Sequence, residues 1–230
     1  MNVPTSTSGS SSAYLQEHGH GILIRVVAFD MDGTLLDSRE AIRAQIRDYF
    51  RDHGQEPPPD QEVVTLLGMT DEEIAKRLLG DRSQDDDSVQ ELVRWITETY
   101  VSKYYKLLNL FPGVADCMSQ LKERGIMLGV ASNAMLPIVE KFLEWSGLGP
   151  LIDAVAAAGK IRGKPAPDEI LEIAKKLRIH PDQILYVGDT PIDVLAARAA
   201  GAIPVAVISG IGSMEQLTQV KPEILLAGTA

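Results

Sequence analysis

Residues 22–34 carry the sequence Ile22-Leu23-Ile24-Arg25-Val26-Val27-Ala28-Phe29-Asp30-Met31-Asp32-Gly33-Thr34. Its first part is a nearly continuous apolar run with β-branched side chains, which predicts a strand covered on both faces. Two aspartates follow, and Gly33 permits a sharp turn directly after them. Because side chains alternate along an extended chain, Asp30 and Asp32 point the same way. The stretch therefore predicts two crowded carboxylates at the end of a buried strand.

The strand pattern recurs further along the chain and alternates with helical patterns. Apolar runs lie at 126–131, 154–158, 184–187, 203–208 and 224–227, and helical patterns at 113–124, 136–146, 167–178 and 191–200. This alternation predicts an α/β fold with a doubly wound parallel sheet, Rossmann-like, and helices on both faces. Ligands in such sheets bind beyond the carboxyl ends of the strands.

Residues 38–110 interrupt the alternation with helical patterns at 38–53, 60–67, 70–80 and 88–107. We therefore predict an all-helical insertion at 38–110, between two parts of a core domain, residues 22–37 and 111–230. Residues 1–21 are rich in Ser, Thr and Gly and lack the apolar centre of a secretory signal, which favours a disordered tail.

Composition limits the classes of partner. The 230 residues carry a formal net charge of -10, which disfavours a nucleic acid polymer as the partner. No apolar run approaches the roughly 20 residues of a membrane span. The single cysteine, Cys117, excludes an intramolecular disulfide and fits a reducing compartment, so we expect a cytoplasmic monomer or homodimer.

A second acidic pair, Asp189 and Asp193, follows the predicted strand at 184–187. An aspartate at a helix start is often only a cap or a dipole partner, and for this pair alone that alternative stays open. Two acidic pairs at neighbouring strand ends favour a hard cation such as Mg²⁺, since uncompensated carboxylates repel each other.

Three further residues near strand ends are suited to a phosphate. Ser132 and Asn133 follow the strand at 126–131 and precede a helix, which predicts an N-cap and a phosphate cradle. Lys164 lies between Gly163 and Pro165. Such a loop lysine is usually solvated, but at this end of the sheet it could neutralise a phosphoryl oxygen and a carboxylate.

These segments, in this order, resemble the haloacid dehalogenase (HAD) superfamily. The matching motifs are Asp30-Met31-Asp32-Gly33-Thr34, Ser132, Lys164 in Gly-Lys-Pro, and Gly188-Asp189 with Asp193. The helical insertion resembles the cap of the phosphoglycolate phosphatase-like and β-phosphoglucomutase-like branch. The resemblance implies a Mg²⁺-dependent phosphatase that acts on a small-molecule phosphate monoester; phosphoglycolate, a sugar phosphate and a nucleotide monophosphate are all open.

The resemblance also implies roles for the matching residues. Asp30 would be the nucleophile that forms an aspartyl-phosphate, and Asp32 the general acid and base. Mg²⁺ would be held by the Asp30 carboxylate, the Asp32 backbone carbonyl and Asp189, with Asp193 acting directly or through a water. The phosphoryl group would be bound by the remaining predicted residues of the core: Gly33, Thr34, Ser132, Asn133 and Lys164.

Other functions on this fold are less well matched. Dehalogenation needs no second aspartate, yet Asp32 is present, and phosphonoacetaldehyde hydrolases typically have Gly-Arg-Pro where this chain has Gly-Lys-Pro. β-Phosphoglucomutases usually have a histidine soon after the first motif, where residues 37–42 have none. A phospho-receiver domain would be about half as long and needs no cap. The alternatives we retain are a phosphosugar mutase and a non-enzymatic phospho-acceptor or interaction protein.

The loop Gly68-Met69-Thr70 is predicted to face the active site from the cap. Thr70 and Glu73 match a capping box, and Gly68 could let a substrate approach closely. A substrate carboxylate or second phosphate could be bound by any of four basic residues of the cap: Arg39, Arg43, Lys76 and Arg77.

Overall fold

The structure is a computed structural model and describes residues 14–17, 20–80, 83, 85–159 and 161–229. Its strands, in chain order, are β1 (Tyr14–Glu17), β2 (His20–Leu23), β3 (Val26–Phe29), β4 (Leu36–Asp37), β5 (Asn109–Leu110), β6 (Met127–Met135), β7 (Ala154–Ala158), β8 (Ile184–Gly188), β9 (Ile203–Val207) and β10 (Ile224–Leu226). Six of them form one parallel sheet, in the order β10-β9-β8-β3-β6-β7.

The helices are α1 (Arg39–Asp52), α2 (Asp60–Val64), α3 (Asp71–Leu79), α4 (Asp86–Ser102), α5 (Val114–Glu123), α6 (Leu136–Ser146), α7 (Asp168–Leu177), α8 (Pro191–Ala200) and α9 (Met214–Val220). Buried residues of α5 and α6 pack on one face of the sheet, and those of α7 and α8 pack on the other. The predicted doubly wound α/β fold is thereby confirmed.

β3 lies at the centre of the sheet and is buried along its whole length. Val27 and Phe29 face the side covered by α5 and α6, whereas Val26 and Ala28 face α7 and α8. Burying a side chain as large as that of Phe29 stabilises the fold by about 1.5–3 kcal/mol. The alternating, two-sided burial explains why the apolar run in this strand is continuous.

The helices α1 to α4 form a second body with its own apolar core. That core includes Ile46, Leu66, Ile74, Leu92 and Ile96. β4 and β5 pair antiparallel, so the two chain crossings between this helical cap and the sheet lie side by side. The chain therefore enters and leaves the helical cap through a narrow two-stranded connection.

The structure differs from the predicted elements at the start of the sheet and after β9, and it adds the short strands β4 and β5. The run at 22–29 is divided between β2 and β3, because Leu23 and Arg25 are exposed and only the residues from Val26 onward enter the buried sheet. β1 and β2 pair antiparallel where a disordered tail was expected, while the rest of that tail, residues 1–13, 18 and 19, lies outside the described residues.

After β9 the chain forms α9, which the periodicity did not predict although a capping box of Ser213 and Gln216 marks its start. No helix in the described part of the chain is both long enough and apolar enough to cross a bilayer.

Candidate active site

The carboxyl ends of three neighbouring strands bring the predicted residues together. Asp30 follows β3, Ser132 lies near the end of β6, and Asp189 follows β8. All three side chains are buried. Because parallel strands end at one edge of the sheet, residues more than 150 positions apart in the chain meet there.

Lys164 is the central cation of this site and is itself buried. Its Nζ donates to Asp30 Oδ1 at 2.5 Å, to Asp193 Oδ1 at 2.8 Å and to the Tyr186 hydroxyl at 2.9 Å. Burial alone would lower the pKa of Lys164, but the carboxylates of Asp193 and Asp30 raise it well above its usual value. The ammonium is therefore charged and fixed between the two acidic pairs.

Sequence reasoning missed Tyr186, which lies within the apolar run of β8. Its hydroxyl donates to the Ala131 carbonyl at 3.0 Å and accepts from Lys164. A tyrosine within a buried apolar strand, two residues before a Gly-Asp pair, was the available signal, because a buried hydroxyl needs a polar partner.

Asp30, Asp189 and Asp193 form a buried acidic cluster. One carboxylate oxygen from each lies within 4.8 Å of the others. Within the described residues, Lys164 is the single cation that pairs with the three, and it contacts two of them. The cluster thus keeps an excess of negative charge in a buried place, and its all-oxygen donor set fits a hard divalent cation such as Mg²⁺.

The pKa values of these groups reflect the same excess charge. Burial raises the pKa of Asp30 well above its usual range, against the opposing effect of Lys164. Burial and the neighbouring Asp193 raise the pKa of Asp189 to about 7. Both carboxylates therefore favour a proton or a cation at this position.

Asp189 is held by donors on both sides. The Thr34 hydroxyl donates to its Oδ1 at 3.1 Å, and the Ile211 backbone N–H donates to its Oδ2 at 2.8 Å. Gly33 has a φ of +84°, and a Cβ at this position would overlap the Asp189 carboxylate. Thr34 and Gly33 thus position a predicted metal ligand, and their contact with a phosphate stays a prediction.

Ile211 belongs to a loop that follows β9 and that sequence reasoning also missed. A Cβ at Gly210 would overlap the same Asp189 carboxylate, and the Ser209 hydroxyl donates to the Gly33 carbonyl at 3.1 Å. The signal was the Gly-Ile-Gly sequence just beyond a strand end, where close backbone approach requires glycine.

Asp193 lies in the first turn of α8, and both of its carboxylate oxygens have donors. Oδ1 accepts from Lys164, and Oδ2 accepts from the Thr190 backbone N–H at 3.0 Å. The cap interpretation of this residue is therefore correct, and it coexists with the contact to Lys164. Because Asp193, unlike Asp189, already pairs with the Lys164 ammonium, it is better suited to act on a cation through a water than directly.

Ser132 and Asn133 do not cap a helix, which corrects the prediction made from their position. β6 continues through both residues to Met135, and Met135 is the N-cap of α6. The Ser132 hydroxyl accepts from the Ala134 N–H at 3.2 Å. The chain stays extended here because β7 continues to pair with β6 up to Met135, with a shift in register.

The Asn133 side chain links the cap to the lysine loop. Its Nδ2 donates to the Gly68 carbonyl at 2.7 Å, and its Oδ1 accepts from the Lys164 backbone N–H at 2.7 Å. The side-chain amide is thus engaged with protein groups, which leaves the backbone as the part of Asn133 suited to a phosphate.

A cavity of about 60 Å³ lies between the sheet edge and the cap. Asp30, Asp32, Ser132 and Asn133 line it from the core. Asp32 is partly exposed, and burial raises its pKa above the usual value. A carboxyl whose pKa is raised and that lies beside a second, lysine-bound carboxylate is arranged for general acid catalysis.

The loop before α3 reaches the cavity as predicted for Gly68, which lines it. The predicted capping box is confirmed, because the Glu73 N–H donates to Thr70 Oγ1 at 3.2 Å and Glu73 Oε2 accepts from the Thr70 N–H at 2.8 Å. Thr70 itself borders a neighbouring cleft with Lys164 and does not line this cavity.

The four basic cap residues lie away from the cavity. Arg39 pairs with Asp37 at 2.6 Å and Lys76 with Glu72 at 2.5 Å. Arg43 faces the Asp60 carboxylate at 3.9 Å, and Arg77 is exposed. The cap instead contributes polar groups from Asp71 and Tyr100, which the sequence did not single out because each lies in an ordinary helical pattern.

The sequence is similar to those of known hydrolases. Residues 27–207 match the family described as haloacid dehalogenase-like hydrolase. A phosphoglycolate phosphatase of Shigella boydii is 29% identical over 222 residues, covering 88% of each chain. One of Synechococcus elongatus is 30% identical over 203 residues, covering 88% of this chain and 92% of the relative.

A solved structure has the same fold. The crystal structure of CbbY from Rhodobacter sphaeroides in complex with phosphate superposes with a TM-score of 0.79 at 26% identity, covering 90% of this chain and 96% of that one.

Proposed function

The chain belongs to the haloacid dehalogenase-like hydrolase family and is a phosphatase, and we propose that it hydrolyses a small-molecule phosphate monoester through an aspartyl-phosphate on Asp30, with Mg²⁺ as cofactor. The observation that carries this proposal is the setting of Asp30. It is a buried carboxylate that lines the cavity while Lys164 holds one of its oxygens at 2.5 Å. An oriented, charge-balanced carboxylate is suited to attack phosphorus.

In the first step, an Asp30 oxygen forms a bond to phosphorus as the bond to the ester oxygen breaks. Asp32 donates its proton to the leaving oxygen, so that an alcohol departs. In the second step, Asp32 accepts a proton from water, and the resulting hydroxide attacks phosphorus. Phosphate leaves and the Asp30 carboxylate is restored.

The other core residues support these steps. Lys164 balances the charge of the phosphoryl oxygens, and Ser132 with the nearby backbone N–H groups holds the phosphoryl group. Mg²⁺ would be held by Asp30, Asp189 and the Asp32 carbonyl, with Asp193 acting through a water. When bound, it supplies positive charge that offsets the negative charge shared by the carboxylates and the phosphate.

Phosphate release from p-nitrophenyl phosphate tests the proposal. We expect turnover with Mg²⁺, its loss in EDTA and its recovery when Mg²⁺ is restored. Asp30→Asn should abolish turnover, whereas the control Asp116→Asn, an exposed aspartate on α5, should keep it. Activity that survives in Asp30→Asn, or that is indifferent to EDTA, would contradict the proposal. Conversion of a hexose 1-phosphate into its 6-phosphate without release of phosphate would support the mutase alternative instead.

A further inference from the structure

The cap builds the half of the cavity that would receive the leaving group, and that half is mostly apolar. Six aliphatic or thioether side chains line it: Ile42, Ile46, Leu67, Met69, Ile74 and Ile96. The cavity volume of about 60 Å³ is a few times the 10–15 Å³ or so that one water needs by the same measure. A cavity of this volume has room for an alcohol of a few non-hydrogen atoms and is too small for a nucleoside.

The charges in the cap half of the cavity disfavour a substrate that carries a carboxylate. No lysine or arginine lines the cavity among the residues that the structure describes, and the one acidic cap residue in its lining is Asp71. The nearby basic side chains of Arg39 and Lys76 are paired with acidic neighbours outside it. A substrate carboxylate would therefore enter an apolar pocket beside Asp71 and Asp32 with no cation to offset it.

Tyr100 supplies a hydrogen-bonding group on the same wall. Tyr100 is 7% exposed and lines the cavity. Its hydroxyl has no hydrogen-bond partner among the described residues. Burial, followed by the nearby Asp32 and Asp71, raises the pKa of Tyr100 well above its usual value, so the hydroxyl keeps its proton. A buried hydroxyl without a partner is unfavourable, and a ligand oxygen at this position would satisfy it.

We propose that the substrate is the phosphate monoester of a small, uncharged alcohol that carries an oxygen for Tyr100 to hydrogen-bond, and that the cap discriminates against esters with a second anionic group. This inference rests on the proposed function, because it assigns the leaving-group end of the same site. The proposed substrate differs from that of the relatives, which are named phosphoglycolate phosphatases. Phosphoglycolate is an ester that carries a carboxylate.

Two esters with the same carbon skeleton test the discrimination. 2-Hydroxyethyl phosphate and phosphoglycolate differ by a hydroxymethyl group in place of a carboxylate. Each is measured as a competitive inhibitor of p-nitrophenyl phosphate hydrolysis by the full chain, at a fixed excess of free Mg²⁺. We expect the inhibition constant of 2-hydroxyethyl phosphate to be at least about tenfold lower, since burying an unpaired carboxylate is unfavourable.

Two variants test which residues set the preference. Tyr100→Phe should weaken 2-hydroxyethyl phosphate relative to ethyl phosphate by about threefold to tenfold, the usual effect of one hydrogen bond. Ile42→Arg places a guanidinium on the cavity wall and should shift the ratio at least about tenfold toward phosphoglycolate. Leu171→Arg is the matched control, because Leu171 is exposed on α7, and it should leave the ratio unchanged.

The outcomes separate this inference from the proposed function. If phosphoglycolate inhibits as well as 2-hydroxyethyl phosphate or better, the inference is overturned while phosphatase activity stands. If phosphate is released neither from p-nitrophenyl phosphate nor from 2-hydroxyethyl phosphate, or if Asp30→Asn still releases it, the proposed function fails and the inference falls with it. The comparison in the wild-type chain decides even where a variant does not fold.

Discussion

Glu169 is a buried acid that the proposed reaction does not use, and it yields a sharp prediction about stability. It lies in the first turn of α7, its side chain is fully buried, and both carboxylate oxygens lack a hydrogen-bond partner among the described residues. Burial raises its pKa from 4.5 to about 7, in spite of the opposing effect of Lys164. The folded protein therefore holds a proton on Glu169 that the unfolded chain releases.

The sign and size of the effect follow from this difference in pKa. Between pH 4.5 and about 7 the folded state binds more protons than the unfolded state, so the free energy of unfolding decreases as the pH rises. Glu169 contributes its full stability below pH 4.5 and has lost it above about pH 7. A shift of this size corresponds to about 3 kcal/mol, as an order-of-magnitude value for a buried group.

Glu169→Gln removes the titration and keeps the shape of the side chain. We expect the variant to be more stable than the wild-type chain at about pH 8, with the gap smaller by about 2 kcal/mol at about pH 5.5. Urea denaturation in EDTA at both pH values measures the gap. Glu172→Gln, on the same helix but partly exposed, is the control. A gap for Glu169→Gln that stays constant across this range would refute the argument.

Three further predictions concern the active site. Asp32→Asn should reduce turnover of an alkyl phosphate by about 10²- to 10⁴-fold and that of p-nitrophenyl phosphate by less, because the activated leaving group needs no proton; equal fractional losses, with chemistry rate-limiting, would contradict the acid role. Asp189→Ala should raise the Mg²⁺ concentration needed for half-maximal activity and lower the rate, and Ca²⁺ should not replace Mg²⁺ in the wild-type chain. Asn133→Ala should lower kcat by about tenfold with a preserved melting temperature, since it frees both Gly68 and Lys164; an unchanged kcat would show that the link does not position the lysine.

The core of the fold was predictable because its pattern is local and strong. The apolar run of β3 and the aspartates after it identify the central strand and the site at its end, and the alternation of strands and helices gives the parallel sheet. Ligands bind at the carboxyl ends of such strands. The predicted topology therefore places Asp30, Ser132 and Asp189 at one edge of the sheet before any contact between them is known.

The remaining features depend on contacts between distant segments. The role of Thr34 became visible only once Asp189 was placed beside it, and the Asn133 side chain could be assigned to the cap loop only from the folded chain. The position of the basic cap residues outside the cavity was not predictable, because helical periodicity shows which residues share a face but not what that face contacts. Tyr100 and Asp71 turn inward, whereas Arg39 pairs with an adjacent aspartate.

The central position of β3 has a consequence for how the chain matures. β3 is among the first segments to be synthesised, yet its sheet partners β6 and β8 begin about 100 and 160 residues later, and the Asp30 N–H pairs with the Val187 carbonyl. The apolar core of the cap, by contrast, is complete once residue 96 has been made.

Local contacts form fast and long-range strand pairing forms slowly, so a nascent chain can order its helical cap while Asp30 has no partners. Asp30, the proposed nucleophile, acquires Lys164 and Asp189 as neighbours, and Asp189 acquires its Ile211 N–H donor, only when nearly the whole sequence is available. Catalytic competence is thus the last property that the growing polypeptide gains, and a truncated translation product that ends before residue 211 is expected to be inactive even where its cap has folded.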